Sequence, residues 1–189
     1  MIHMVQNKNN LELEIILVLL KGKTHLREIA RTLDESHSTI LRKINELAKE
    51  NILDYRKEGK NNVFFIKNNL KAKNYVYSAE IHKLNKVLKK HPELSIILED
   101  IKKNFLKGMI ILFGSYAKGN SKSDSDIDIY LETNNKKIKN KIKEINSKLS
   151  IKTGDFDDKS LLIKEIIKNH IILRGLEDFY ERVEFFKET

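Results

Sequence analysis

The apolar positions of the first 70 residues change period twice, and each change predicts an element. Leu11 to Leu20 is an apolar helical run. Leu26, Ile29, Ala30 and Leu33 then recur at the three- and four-residue steps of one helix face, with Thr24 placed to cap that helix. After a tight link at Asp34 and Glu35, Ser36 caps a third helix. Its Ile40, Leu41, Ile44, Leu47 and Ala48 turn inward and leave His37, Ser38, Thr39, Arg42, Lys43 and Glu46 outside. The period then falls to two in residues 52–56 and 62–66, which predicts two strands joined by a hairpin with Gly59 at its turn.

Residues 68–74 are polar enough to mark a boundary. Beyond them, 75–90 and 93–105 read as helices split at His91-Pro92, because proline favours a helix start and disfavours helix for its predecessor. Val76, Ile81, Leu84 and Leu88 would seat one domain on the other or form a homodimer contact. The remainder alternates strand and helix patterns. Met109 to Phe113 reads as a buried strand, and Gly114-Ser115 bends the backbone at its end. Gly119 and residues 120–123 turn the chain back into a second strand at 126–131. There Ile127, Ile129 and Leu131 face the core, while Asp126 and Asp128 share the opposite face. Ile138, Ile142, Ile145 and Leu149 make residues 136–148 an amphipathic helix with a solvated lysine face, a face that would also suit a polynucleotide. Residues 171–173 read as a last strand, and Phe179, Tyr180, Phe185 and Phe186 as the packing of a last helix. The expected architecture is α/β (α+β): a winged helix-turn-helix over 1–70, a helical connector over 71–90, and a mixed sheet flanked by helices over 91–189.

The chemistry sits at the Gly-Ser bend. Its exposed amides and hydroxyl suit phosphate oxygens, and the paired aspartates suit Mg²⁺, a hard cation that joins protein carboxylates to phosphates. Gly114, Ser115, Gly119, Ser125, Asp126 and Asp128 together resemble the signature of the DNA polymerase β-like nucleotidyltransferase superfamily, in particular its minimal branch in bacteria and archaea. The resemblance runs from about His91 to the C-terminus. It implies two Mg²⁺ ions at Asp126 and Asp128, triphosphate held at Gly114 and Ser115, and ATP as the expected substrate. It also implies transfer of a nucleoside monophosphate to a hydroxyl. A third carboxylate on a later strand is part of that implied site, to bind metal and orient or deprotonate the acceptor. Asp155 is the first candidate and Asp157 the second. Both equally suit the N-terminal acids of a following helix. Members of this branch include antitoxins that adenylylate a partner toxin, so a protein acceptor is among the expected partners, beside polynucleotide ends and small-molecule hydroxyls.

Leu26 to Ala30, Ser38 to Arg42 and Leu47 to Leu53 resemble the winged-helix regulators of prokaryotes. That resemblance implies duplex DNA as a partner, with Ser36, His37, Ser38, Thr39, Arg42 and Lys43 at the major groove and Lys57 and Lys60 on phosphates. Charge agrees with it. Residues 1–105 hold 20 Lys and Arg against 13 Asp and Glu, whereas residues 106–189 hold 16 against 14. A basic front half raises the expectation of nucleic-acid contact. The other functional class is a DNA-binding transcriptional regulator whose second domain senses nucleotide or holds a partner without catalysis.

Composition narrows the setting. No apolar run approaches the ~20 residues of a membrane span, and Met1 to Gln6 lacks a signal peptide's charged start and apolar core. The chain has no Cys, so disulfides and thiolate metal sites are excluded. A cytoplasmic address is expected from these features. The six His residues show no ligand spacing.

Overall fold

The computed structural model describes residues 10–187; the readings of Met1 to Gln6 and of His3 lie outside them. The chain is a mixed α and β structure in two compact units, one comprising residues up to Glu80 with the segment from Phe185 onward, the other Ile81–Glu184.

In the first unit, helix α1 (Leu11–Leu19) is followed by the short strand β1 (Thr24–His25), α2 (Leu26–Leu33), α3 (His37–Lys49) and the hairpin β2 (Leu53–Glu58) and β3 (Asn61–Ile66). This is the element order of a winged helix-turn-helix. Thr24 is not a cap: it pairs with Phe64 and adds a third strand, giving the antiparallel order β1-β3-β2. Ser36 does cap α3, its Oγ accepting from the Thr39 amide at 3.1 Å. Asp34, in the left-handed conformation, makes the tight link before it. Ile15, Ile16, Ile29, Ile40, Ile44, Leu47 and Ile52 fill the core. Leu41 and Ala48, expected inside, are exposed, because the buried stripe of α3 is the narrower Ile40, Ile44 and Leu47 series. Phe186 is buried and its carbonyl accepts from Asn68 Nδ2, and the Phe185-Phe186 pair, expected with the last helix, is counted with this unit.

Helix α4 (Leu70–Lys90) begins inside the segment expected as a polar boundary and runs through it without a break, its first eleven residues counted with the first unit and the rest with the second. Ala72, Val76 and Ala79 are buried along it.

The second unit continues with α5 (Glu93–Asn104), β4 (Ile110–Phe113), α6 (Gly114–Lys118), β5 (Ile127–Glu132), α7 (Lys136–Lys143), β6 (Leu149–Gly154), α8 (Leu161–Lys168), β7 (Ile171–Arg174) and α9 (Leu176–Arg182). Its strands form a mixed sheet in the order β6-β5-β4-β7, with only β5 and β6 parallel. One face carries Ile110, Leu112, Ile127, Ile129, Leu131, Leu149 and Ile151 against Leu94, Leu98 and Ile101 of α5 and Ile142 of α7. The other face is partly covered by an aromatic chain from Tyr130 through Phe156 to Phe179 of α9. Tyr130 is buried there and donates its hydroxyl to the Gly154 carbonyl at 2.8 Å. Burial pushes its phenol well above the ordinary range.

Candidate functional site

Two carboxylates and a glycine meet where β4 ends. The cross-strand partner of Asp128 is Phe113, the last residue of β4, so the Asp128 side chain stands beside the first residue of α6. That residue is Gly114, at φ +68°. A Cβ added there would lie 2.9 Å from Asp128 Cγ and closer still to Oδ2. Glycine is required twice over, for a left-handed backbone and for room for the acid. Ser115 follows, half-buried. The helix is one short turn, ended by Gly119 in the left-handed conformation and by the Asn120 amide donating to the Ser115 carbonyl at 3.1 Å.

The return to β5 uses Ser125, whose Oγ accepts from the Lys122 amide at 2.8 Å and closes a turn. Asp126 comes next, exposed, and Asp128 is half-buried one pleat further on. Alternation with Ile127 and Ile129, both buried, puts the two acids on one face. Neither Asp126 nor Asp128 has a side-chain hydrogen bond or ion pair among the described residues. Such acids are ordinarily paired when partly buried, so a cation is the natural complement. Mg²⁺ is commonly held by one or two carboxylates with substrate phosphates completing its shell, and two open acids beside a cradle that a Cβ would fill suit that donor set. Among the described residues no cluster of three His, Cys, Asp or Glu could hold a metal without such help.

Asp155 does not join them. In the parallel β5–β6 pair, Asp128 stands opposite Ser150, Tyr130 opposite Lys152 and Glu132 opposite Gly154. Asp155 therefore lies past the far end of β5, roughly 16 Å along the sheet from Asp128 at the usual rise per residue. Its Oδ1 accepts from Asn134 Nδ2 at 2.9 Å. Asp157 accepts from the Lys159 amide at 3.0 Å and closes the turn before α8. The positions of β6 on the face of Asp128 are Ser150 and Lys152, which sequence reasoning passed over. The alternation of buried Leu149 and Ile151 with Ser150 and Lys152 carries that signal in the sequence.

Around the bend, Lys118 of α6 and Glu165 of α8 form an ion pair at 2.6 Å, which holds the Glu165 carboxyl below its ordinary range. His91 is tied to the same unit by Ser121 Oγ at 3.2 Å and by an edge-on contact with Tyr116.

In the first unit, His37, Ser38 and Arg42 are exposed on α3. Ser36 and Thr39 are engaged in the cap, their hydroxyls 2.8 Å apart. Arg42 pairs with Glu46 at 2.8 Å and remains largely open to solvent. Lys43, expected to face outward, is only 17% exposed and is clamped between Glu12 and Glu46 at 2.8 Å each. The hydrogen bonds from those two carboxylates raise its pKa. Lys57 and Lys60 are exposed on the hairpin.

Residues 94–183 match the family model of the nucleotidyltransferase domain. That domain contains the bend, both acids and β6, and its limits lie within the second unit. No curated protein matches the chain. A crystal structure of the adhesin competence repressor AdcR from Streptococcus pyogenes covers 52% of this chain and 84% of its own, at 18% identity and a TM-score of 0.37, a likeness too slight to argue from. Among the described residues no helix is long and apolar enough to cross a membrane.

Proposed function

We propose that the nucleotidyltransferase domain binds a nucleoside triphosphate, ATP foremost, with Mg²⁺ at Gly114, Ser115, Asp126 and Asp128, and transfers its nucleoside monophosphate to an acceptor hydroxyl. The seat that Gly114 makes for Asp128 is the observation that carries this reading, because it joins the phosphate-binding bend to the acid in one piece of structure. When bound, Mg²⁺ neutralises phosphate charge and favours in-line displacement. Asp126 and Asp128 supply its protein ligands, and the Ser115 hydroxyl with the first amides of α6 orients the triphosphate. The acceptor oxygen forms a bond to the α-phosphorus, the bond to the bridging oxygen breaks, and pyrophosphate leaves. A toxin-like protein, a polynucleotide end and a small molecule are the acceptor classes that suit this chemistry.

The winged helix is the targeting part of the proposal. His37, Ser38 and Arg42 would meet base edges and phosphates, and Lys57 and Lys60 phosphates, of duplex DNA.

A second reading is supported by Ser150 and Lys152. With no carboxylate on β6 facing Asp128, the domain lacks a neighbouring acid to accept the acceptor's proton, which suits a DNA-binding regulator that holds nucleotide without turnover. Incubation with each α-labelled triphosphate, Mg²⁺ and cell extract separates the two. Covalent label on an acceptor supports the transferase. Triphosphate retained by the protein with no label transferred supports the regulator, and no retention at all refutes both.

A further inference from the structure

We propose that Lys152 is a triphosphate-binding residue that gives this site its selectivity for polyphosphate, an inference that rests on the reading of the Gly114 bend as a nucleotide site. Its position follows from the register. Lys152 pairs with Tyr130 and Ser150 with Asp128, in a parallel pair whose partners share a face. Strands about 4.8 Å apart with a rise of about 3.3 Å per residue put the Lys152 Cα roughly 8 Å from that of Asp128, within the reach of an extended lysine stem toward a phosphate beside that acid. Lys152 is exposed and has no hydrogen bond or ion pair among the described residues.

Three other cations around the bend are committed, while Lys122 is exposed in the turn before Ser125. Lys118 is paired with Glu165, Lys90 donates to the Gly119 carbonyl and Lys148 donates to the Ser123 carbonyl. Lys152 is an available ammonium on the acids' own face of the sheet. The charge balance calls for one. A triphosphate brings about four negative charges and the two aspartates two more, so bound divalent cations alone leave the site net negative unless a protein cation helps. An ammonium is a compact point charge suited to that task. The competing explanation is that Lys152 only blunts an edge strand, since β6 has one unpaired side.

Titration calorimetry of the full chain with Mg²⁺ and a non-hydrolysable ATP analogue, and separately with AMP, tests the assignment. Lys152→Ala is expected to weaken the triphosphate analogue about tenfold, the scale of a hydrogen bond to a charged group, and to leave AMP binding within about twofold. Lys152→Arg should recover most of the loss. Lys139→Ala, which removes a half-buried lysine of α7, should change neither. Unchanged triphosphate affinity in Lys152→Ala, or an equal loss in Lys139→Ala, would overturn the role of Lys152 while leaving the site intact. If the wild-type protein binds neither ligand, the nucleotide site itself falls and this role with it.

Discussion

Gly114 and Asp128 occupy each other's space: the missing side chain of the glycine is the room in which the aspartate stands. Strand pairing enforces the arrangement, since Asp128 sits opposite Phe113 and the chain turns immediately afterwards into a left-handed backbone. Gly114→Ala should therefore cost stability on both counts. The left-handed conformation alone costs ~1–2 kcal/mol for a residue with a Cβ, and displacement of the carboxylate adds to it. Calorimetry should record a lower Tm for the second unit. Asp128→Ala in the same chain should recover part of that loss, and a strictly additive double variant would argue against the steric conflict.

Asp126→Asn and Asp128→Asn together should abolish Mg²⁺-dependent binding and any labelling by a nucleoside triphosphate without changing the circular dichroism spectrum. Labelling that persists in the double variant rejects the two aspartates as metal ligands.

Asp155→Ala should leave Mg²⁺-dependent nucleotide affinity within about twofold of wild type, because the register carries Asp155 away from the bend. A loss comparable to that of Asp128→Asn would mean that β6 is out of register by several residues.

The first unit separates two lysine roles that look alike in sequence. Lys57→Ala with Lys60→Ala should weaken duplex DNA binding and lower the slope of log K against log salt by roughly 2, about one unit per phosphate contact. Lys43→Ala should instead lower the thermal stability of the first unit and leave the salt slope unchanged, since Lys43 is held by Glu12 and Glu46. The reverse pattern would return Lys43 to the DNA face.

Acid should loosen the bend from α8. Lys118 holds the Glu165 carboxyl below its unfolded value of 4.5, so the contribution of this pair is complete above that pH and is lost as pH falls through the lowered folded value. Between pH 5 and pH 3 the wild-type protein should lose more stability than Glu165→Gln, in which the pair is absent throughout. Because both partners are well exposed, the difference is expected to be small. Identical acid profiles would show that the pair contributes nothing.

What the amino-acid sequence determined by itself is whatever depends on near neighbours along the chain. Alternation placed Asp126 and Asp128 on one face and Ile127, Ile129 and Leu131 on the other; the hairpin around Gly59 and the Ser36 cap are equally local. A strand's side chains change face at every residue, so that parity is written into a few consecutive positions. Which residues of a distant strand stand beside Asp128 is a different matter. It depends on how far β6 slides along β5, and only the packing of Leu149 and Ile151 into the shared core settles the slide. Tertiary structure therefore decided that Ser150 and Lys152, not Asp155, flank the acids. The same holds for Lys43, whose partner Glu12 lies 31 residues away, and for Thr24, drawn from a cap into a strand by Phe64. Contacts between segments remote in sequence are selected by the burial of a whole core, and no window of neighbouring residues contains that information.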